Sequence, residues 1–148
     1  MVVGVDGSAV GRRALSWALG EALRRGCGLD VVHCWYSRTT YEPSAVPVVS
    51  PQDLRSGSER MLRSEISAMS RIFAALPALS LMSAHGRPVP TLVAASECAQ
   101  LLVVGGRARS GSGLEVAEGC ARHAHCPVVV VDRNGIVVSY PPTPASTG

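Results

Sequence analysis

Short apolar runs of β-strand length alternate with longer segments of helical periodicity along most of the chain. The runs are Val2-Val3-Gly4-Val5, Leu29 to Trp35, Leu79 to Ala84, Leu101 to Val104 and Val128 to Val131. Between the first two, Val10, Ala14, Leu15, Ala18, Leu19, Ala22 and Leu23 recur at steps that lay one apolar stripe along a helix. Further helices are predicted over Gln52 to Leu76, Pro88 to Gln100 and Leu114 to His125. Alternation of this kind without an internal repeat gives an α/β fold, a parallel sheet joined by right-handed crossovers with helices on both faces. The unbroken β-branched run Val128 to Val131 suits a strand buried on both sides.

Local chemistry marks the boundaries. Ser8 is placed to cap the first helix and Gly26 to end it. Gly57 weakens the start of the second helix by about 1 kcal/mol relative to alanine, and Pro77 is expected to stop it. Prolines at 88 and 90 open the third. Residues 36 to 51, rich in Pro, Thr and Ser, read as a surface excursion. The domain is expected to span 1–132, with 133–148 a tail in which Ile136-Val137-Val138 can add an edge strand before a disordered end.

At 148 residues and 47% hydrophobic content the chain fits one globular domain. Its net charge of +3 is modest, there is no lysine, and arginines fall in scattered pairs such as Arg12-Arg13 and Arg24-Arg25. That pattern argues against nucleic acid as a partner. No run approaches the roughly 20 apolar residues of a membrane span, and the first residues lack the pattern of a signal peptide, so a cytoplasmic location is expected. The five cysteines, Cys27, Cys34, Cys98, Cys120 and Cys126, contain no C-x-x-C pair and read as reduced, mostly buried thiols.

Two of the apolar runs end in turns with chemistry: Asp6-Gly7-Ser8 after the first, and Gly105-Gly106-Arg107 after the fourth. If those strands are neighbours, their carboxyl ends form one crevice, where open α/β sheets hold their ligands. Glycine permits positive φ and brings main-chain N–H groups close to phosphate oxygens. The donors expected there come from Val104, Gly105, Gly106, Gly111, Ser112 and Gly113, with charge from Arg107 and Arg109 and the positive end of a helix starting near Leu114. Asp6 can accept a hydrogen bond from an adenine amino group or a ribose, contact magnesium, or simply form the Asp-Gly turn. A dinucleotide fingerprint is not met, because Asp30 opens the second strand and does not close it. Cys120, His123, His125 and Cys126 have metal-ligand residue types, yet helical geometry sets Cys120 and His125 about 140° apart, so no metal site is expected. His33 and His85 stand alone in the sequence, and no nucleophile elbow or paired carboxylates argue for catalysis.

In Val2-Val3-Gly4-Val5-Asp6-Gly7-Ser8, Ala14-Leu15 with Trp17-Ala18, Val31-Val32-His33 with Trp35, Leu101 to Gly105, and Cys126-Pro127-Val128 to Val131, the chain resembles the universal stress protein family. The resemblance implies an open five-stranded parallel sheet of order 3-2-1-4-5 and a homodimer through the last strand. It also implies ATP, with magnesium possible, bound between the first and fourth strands. The family's Gly-x2-Gly-x9-Gly-Ser/Thr loop is matched at Gly105 but is shortened here, leaving Gly111-Ser112-Gly113 as its turn. The implied function is a non-enzymatic stress-response module that binds an adenine nucleotide through a degenerate phosphate loop. The alternatives are a nucleotide-free interaction scaffold and a slow ATP hydrolase.

Overall fold

The computed structural model describes residues 1–36, 49–106 and 112–144, with residues 112–115 by their backbone. Among these residues ten elements follow one another: β1 (Val2–Gly4), α1 (Ala9–Arg25), β2 (Leu29–Trp35), α2 (Pro51–Ser70), β3 (Leu79–His85), α3 (Pro88–Ser96), β4 (Leu102–Gly105), α4 (Ser112–His123), β5 (Val128–Val131) and β6 (Val137–Tyr140). They build one sheet of order β3-β2-β1-β4-β5-β6. The first five strands are parallel, and β1 lies between β2 and β4.

Alternation along each inner strand divides the core in two. Val3, Val31, Val103 and Val129 face α1 and α2, which contribute Leu15, Leu19, Leu62 and Met69. Val2, Val32, Leu102, Val104 and Val128 face the other side, where Leu92 of α3 and Cys120 of α4 cover them. Both faces are dry, and for that reason the inner strands read as continuous apolar runs. Gly119 lets the two helices of that side close together, since a Cβ there would stand 2.9 Å from both Val89 Cγ atoms. On the opposite side Glu65 of α2 is buried and accepts two hydrogen bonds from the Arg12 guanidinium of α1, at 2.9 and 2.8 Å. This bidentate pair fixes the two helices to each other.

The helix ends follow the chemistry of their residues. Ser8 Oγ accepts from Gly11 N at 3.0 Å at the start of α1. Gly26 ends that helix with φ 66°, and the Gly26 and Cys27 amides donate to Leu23 and Ala22 carbonyls. Ser50 caps α2 by accepting from Asp53 N at 3.1 Å, with Pro51 in the first turn.

The expected five-stranded parallel sheet is corrected to a mixed sheet of six strands. Asp132 makes the difference: its Oδ1 accepts from Asn134 N and Ile136 N, both at 2.8 Å, and Gly135 takes φ 79°. The chain reverses there and lays β6 antiparallel on β5, Val131 opposite Val137 and Val128 opposite Tyr140. Helix α2 stops at Ser70, short of the expected Leu76. Phe73 and Leu76 still pack on the core, but from the connection that follows, so their spacing imitates further helical turns. The third helix ends at Ser96 where Gln100 was expected, and the fourth begins at Ser112 where Leu114 was expected.

Candidate functional site

Strands β1 and β4 are hydrogen-bonded neighbours, with Val2 opposite Leu102 and Val3 opposite Val103. Their carboxyl ends therefore open side by side, and the first turn of α1 lies over both. Asp6 is exposed and turned towards its own loop: Oδ1 accepts from Ser8 N at 2.9 Å and from Ser8 Oγ. Gly7 supplies the positive φ of 79° that this turn requires. Gly11 leaves room for the carboxylate, since a Cβ there would stand 2.6 Å from Asp6 Oδ1.

Gly105 faces the same helical turn from β4. A Cβ at this position would meet Val10 Cγ1 at 2.9 Å and the Val10 carbonyl carbon and oxygen at 3.1 Å. Close approach of α1 is thus the reason for glycine here; neither Gly105 nor Gly106 has a positive φ. Gly106 is not the free phosphate donor expected. Its N–H donates to Val131 O at 2.9 Å, and a Cβ would stand 2.4 Å from Val130 Cγ1. The Val104 side chain points into the α3–α4 core, and its main chain faces β5 opposite Val130, so Val104 is not the free donor expected. Ser112 and Gly113 lie in the first turn of α4 and not in a preceding glycine turn. Arg107, Arg109 and Gly111 lie outside the described residues. Asp6, Gly105 and the amino end of α1 are brought together.

The sequence reading missed a polar network beside this crevice. Parallel pairing sets His33 of β2 opposite Ser83 of β3, and α2 lowers Ser58 onto both. His33 Nδ1 lies 2.7 Å from Ser58 Oγ, and Ser83 Oγ donates to Ser58 Oγ at 2.8 Å. Ser58 is 3% exposed, so it serves as a sealed hub and not as an accessible nucleophile. His85 also has a neighbour: its ring centroid lies 4.7 Å from that of Trp35 at an interplanar angle of 38°. Nothing short of the strand register brings these pairs together.

Burial holds the His33 pKa below its ordinary 6.5, against a smaller opposing pull from Asp6. An imidazole harder to protonate when folded contributes stability that is complete above 6.5 and is lost as pH falls through the folded value. Melting temperatures are expected to hold level above about pH 7 and to fall below pH 6.5, with a shallower fall in His33→Gln. Identical slopes in the two proteins would assign the acid sensitivity elsewhere.

The five cysteines are unpaired. Burial raises the thiols of Cys34 and Cys126 and pushes Cys120 up to about 12, which suppresses thiolate chemistry. In the Cys120 to Cys126 cluster, Cys120 is enclosed in the core while the exposed His125 lies 3.7 Å from Glu97 Oε1. Among the described residues no helix is long and apolar enough to cross a membrane.

The profile of the universal stress protein family matches residues 1–132. The chain is 32% identical over 134 residues to the universal stress protein Rv2623 of Mycobacterium tuberculosis, covering 88% of this chain and 44% of that one. It thus spans less than half the length of the curated relatives it matches. Among solved structures, a universal stress protein in complex with cAMP aligns with a TM-score of 0.69 at 23% identity, covering 89% of this chain and 94% of that one. The universal stress protein from Archaeoglobus fulgidus in complex with dAMP aligns with a TM-score of 0.63 at 24% identity, covering 87% and 94%.

Proposed function

Because the chain belongs to the universal stress protein family, we propose that it is a non-enzymatic stress-response module that binds an adenine nucleotide where β1 and β4 end. One observation carries this reading. Asp6, in the loop after β1, and Gly105, at the end of β4, both pack against the first turn of α1, at the switch point of the sheet. The related structures with cAMP and dAMP support the ligand class.

In this reading the second oxygen of Asp6 receives a hydrogen bond from the base or ribose. The main chain at Gly105, with Gly111, Ser112, Gly113 and Arg107, meets the phosphates of ATP, while the Gly106 amide stays on Val131. Magnesium fits the chain poorly. Asp6 Oδ1 is committed to Ser8, and Asp132 Oδ1 is committed to the amides of Asn134 and Ile136. Any magnesium therefore arrives on the nucleotide. The loop is degenerate, the protein works in the cytoplasm, and residues 1–132 form the binding domain.

A scaffold reading also has an observation in its favour: Val10 and Val130 crowd Gly105 and Gly106 closely. The homodimer belongs to both readings. Since β6 occupies the β5 edge, a second copy would meet the last strand, β6, through the exposed side chains of Val137, Val138 and Tyr140. Native mass spectrometry of the protein purified without nucleotide, followed by titration with ATP and AMP, is expected to show one nucleotide per chain. No binding at millimolar concentration would remove the nucleotide reading. A strict monomer in the analytical ultracentrifuge would remove the homodimer.

A further inference from the structure

The two edges of the sheet differ in how they are protected. Strand β6 is four residues long and runs into Pro141 and Pro142, which have no N–H for a further strand. Strand β3, at the opposite edge, runs seven residues with no Asp, Glu, Lys, Arg or Pro. It pairs with β2 without a bulge from Leu79 to His85. None of the usual devices that blunt an edge is present in it.

The direction of its free main-chain groups follows from the ladder. Ala78 O accepts from Leu29 N, and Gly86 N donates to Trp35 O, both at 2.9 Å. Even-numbered residues therefore face β2, and Leu79, Leu81, Ser83 and His85 turn their N–H and C=O groups outwards. Leu81 and Met82 are 39% and 42% exposed, on opposite faces of the strand. Beside them α2 and β3 frame a groove of about 430 Å³, in which Arg55, Glu59 and Arg63 stand over Leu81, Met82 and Ser83.

From this edge and this charge pattern we infer that β3 is a strand-addition site for an extended acidic segment of a partner protein. The groove carries two arginines and one glutamate. Arg55 is paired with Glu59 at 3.2 Å, and Arg63 makes no ion pair among the described residues. An acidic side chain in the added strand meets that guanidinium. A second copy of this chain fits worse. Helix α2 runs antiparallel to β3, and a two-fold pairing of β3 with itself centred beside Glu59 sets Arg55 of one copy against Arg63 of the other, and Glu59 against Glu59. Like charges facing each other across an interface oppose it. This inference stands apart from the nucleotide site and survives its failure.

The test uses ¹⁵N-labelled full-length protein and two blocked peptides, one alternating glutamate with valine and one alternating lysine with valine. The glutamate peptide is expected to shift the amide resonances of Leu79, Leu81, Ser83 and His85. Arg63→Glu is expected to weaken its binding about tenfold or more, and Leu81→Pro to abolish it. The proline removes an outward N–H and leaves the β2 ladder intact; Arg63→Glu keeps the test decisive if the proline variant fails to fold. Absent binding, equal binding of the lysine peptide, or shifts confined to β6 would overturn the inference. A concentration-dependent dimer abolished by Leu81→Pro would give the edge to a second copy and overturn it equally.

Discussion

Replacing Gly105 with valine is expected to abolish retention of adenine nucleotide and to lower stability by about 1–3 kcal/mol, the usual cost of overpacking. The neighbours that a Cβ would strike include the Val10 main chain at 3.1 Å, and main chain cannot rotate away as a side chain can. Relief requires α1 to lift from β4. The same movement carries Gly11 off the Asp6 carboxylate and disturbs the Ser8 cap, so site and fold are strained together. Gly20→Ala serves as the control: nothing lies within 4 Å of its built Cβ, and alanine in a helix interior is favoured by about 0.5–1 kcal/mol. Urea unfolding and nucleotide titration of the three proteins make the comparison. A Gly105→Val protein that is destabilised yet still binds would move the nucleotide away from this crevice.

Leu102→Ala is expected to cost about 2–5 kcal/mol. Leu102 is completely buried on β4, between β1 and β5, in the cluster shared with Val2, Val32, Leu92 and Cys120. The strand is held on both sides by its ladders, so the cavity left by the lost methyl groups cannot close. At about 2–4 °C per kcal/mol for a chain of this size, the melting temperature should fall by roughly 10 °C. Leu81→Ala, on the exposed edge, should stay within about 0.5 kcal/mol. Similar losses at the two positions would mean that β3 is far better packed than its exposure indicates.

The inner strands were legible because residues such as Val31, Val103 and Val129 alternate with Val32, Val104 and Val128, and every one of them is buried. Strand order was not legible from periodicity; the family resemblance supplied 3-2-1-4-5. Strand β6 was legible only as an optional edge strand at Ile136-Val137-Val138, because all four residues of Val137–Tyr140 are exposed and no buried face fixes their pairing. Helix α2 was drawn too long because Phe73 and Leu76 continue its spacing while packing from beyond its end. At the site, glycines 105 and 106 were noticed as permitting a positive φ, which neither adopts. Composition cannot tell a glycine that frees an amide from one whose amide is spent on Val131. His33, Ser58 and Ser83 are each 25 residues from the next, and only the crossover from β2 through α2 to β3 makes them partners.

The reversal at Asp132 bears on the order in which the sheet can assemble. β5 and β6 are joined by a tight turn, whereas β1 reaches β4 only after the chain has closed a loop from Val2 to Leu102. Hairpins form in about 1–10 μs, while contacts between distant segments must first meet the entropy of closing a long loop. The last part of the chain therefore holds the pairing that needs no prior collapse. Among the described strands it is the most local pairing of the sheet, the one that meets the least loop-closure entropy.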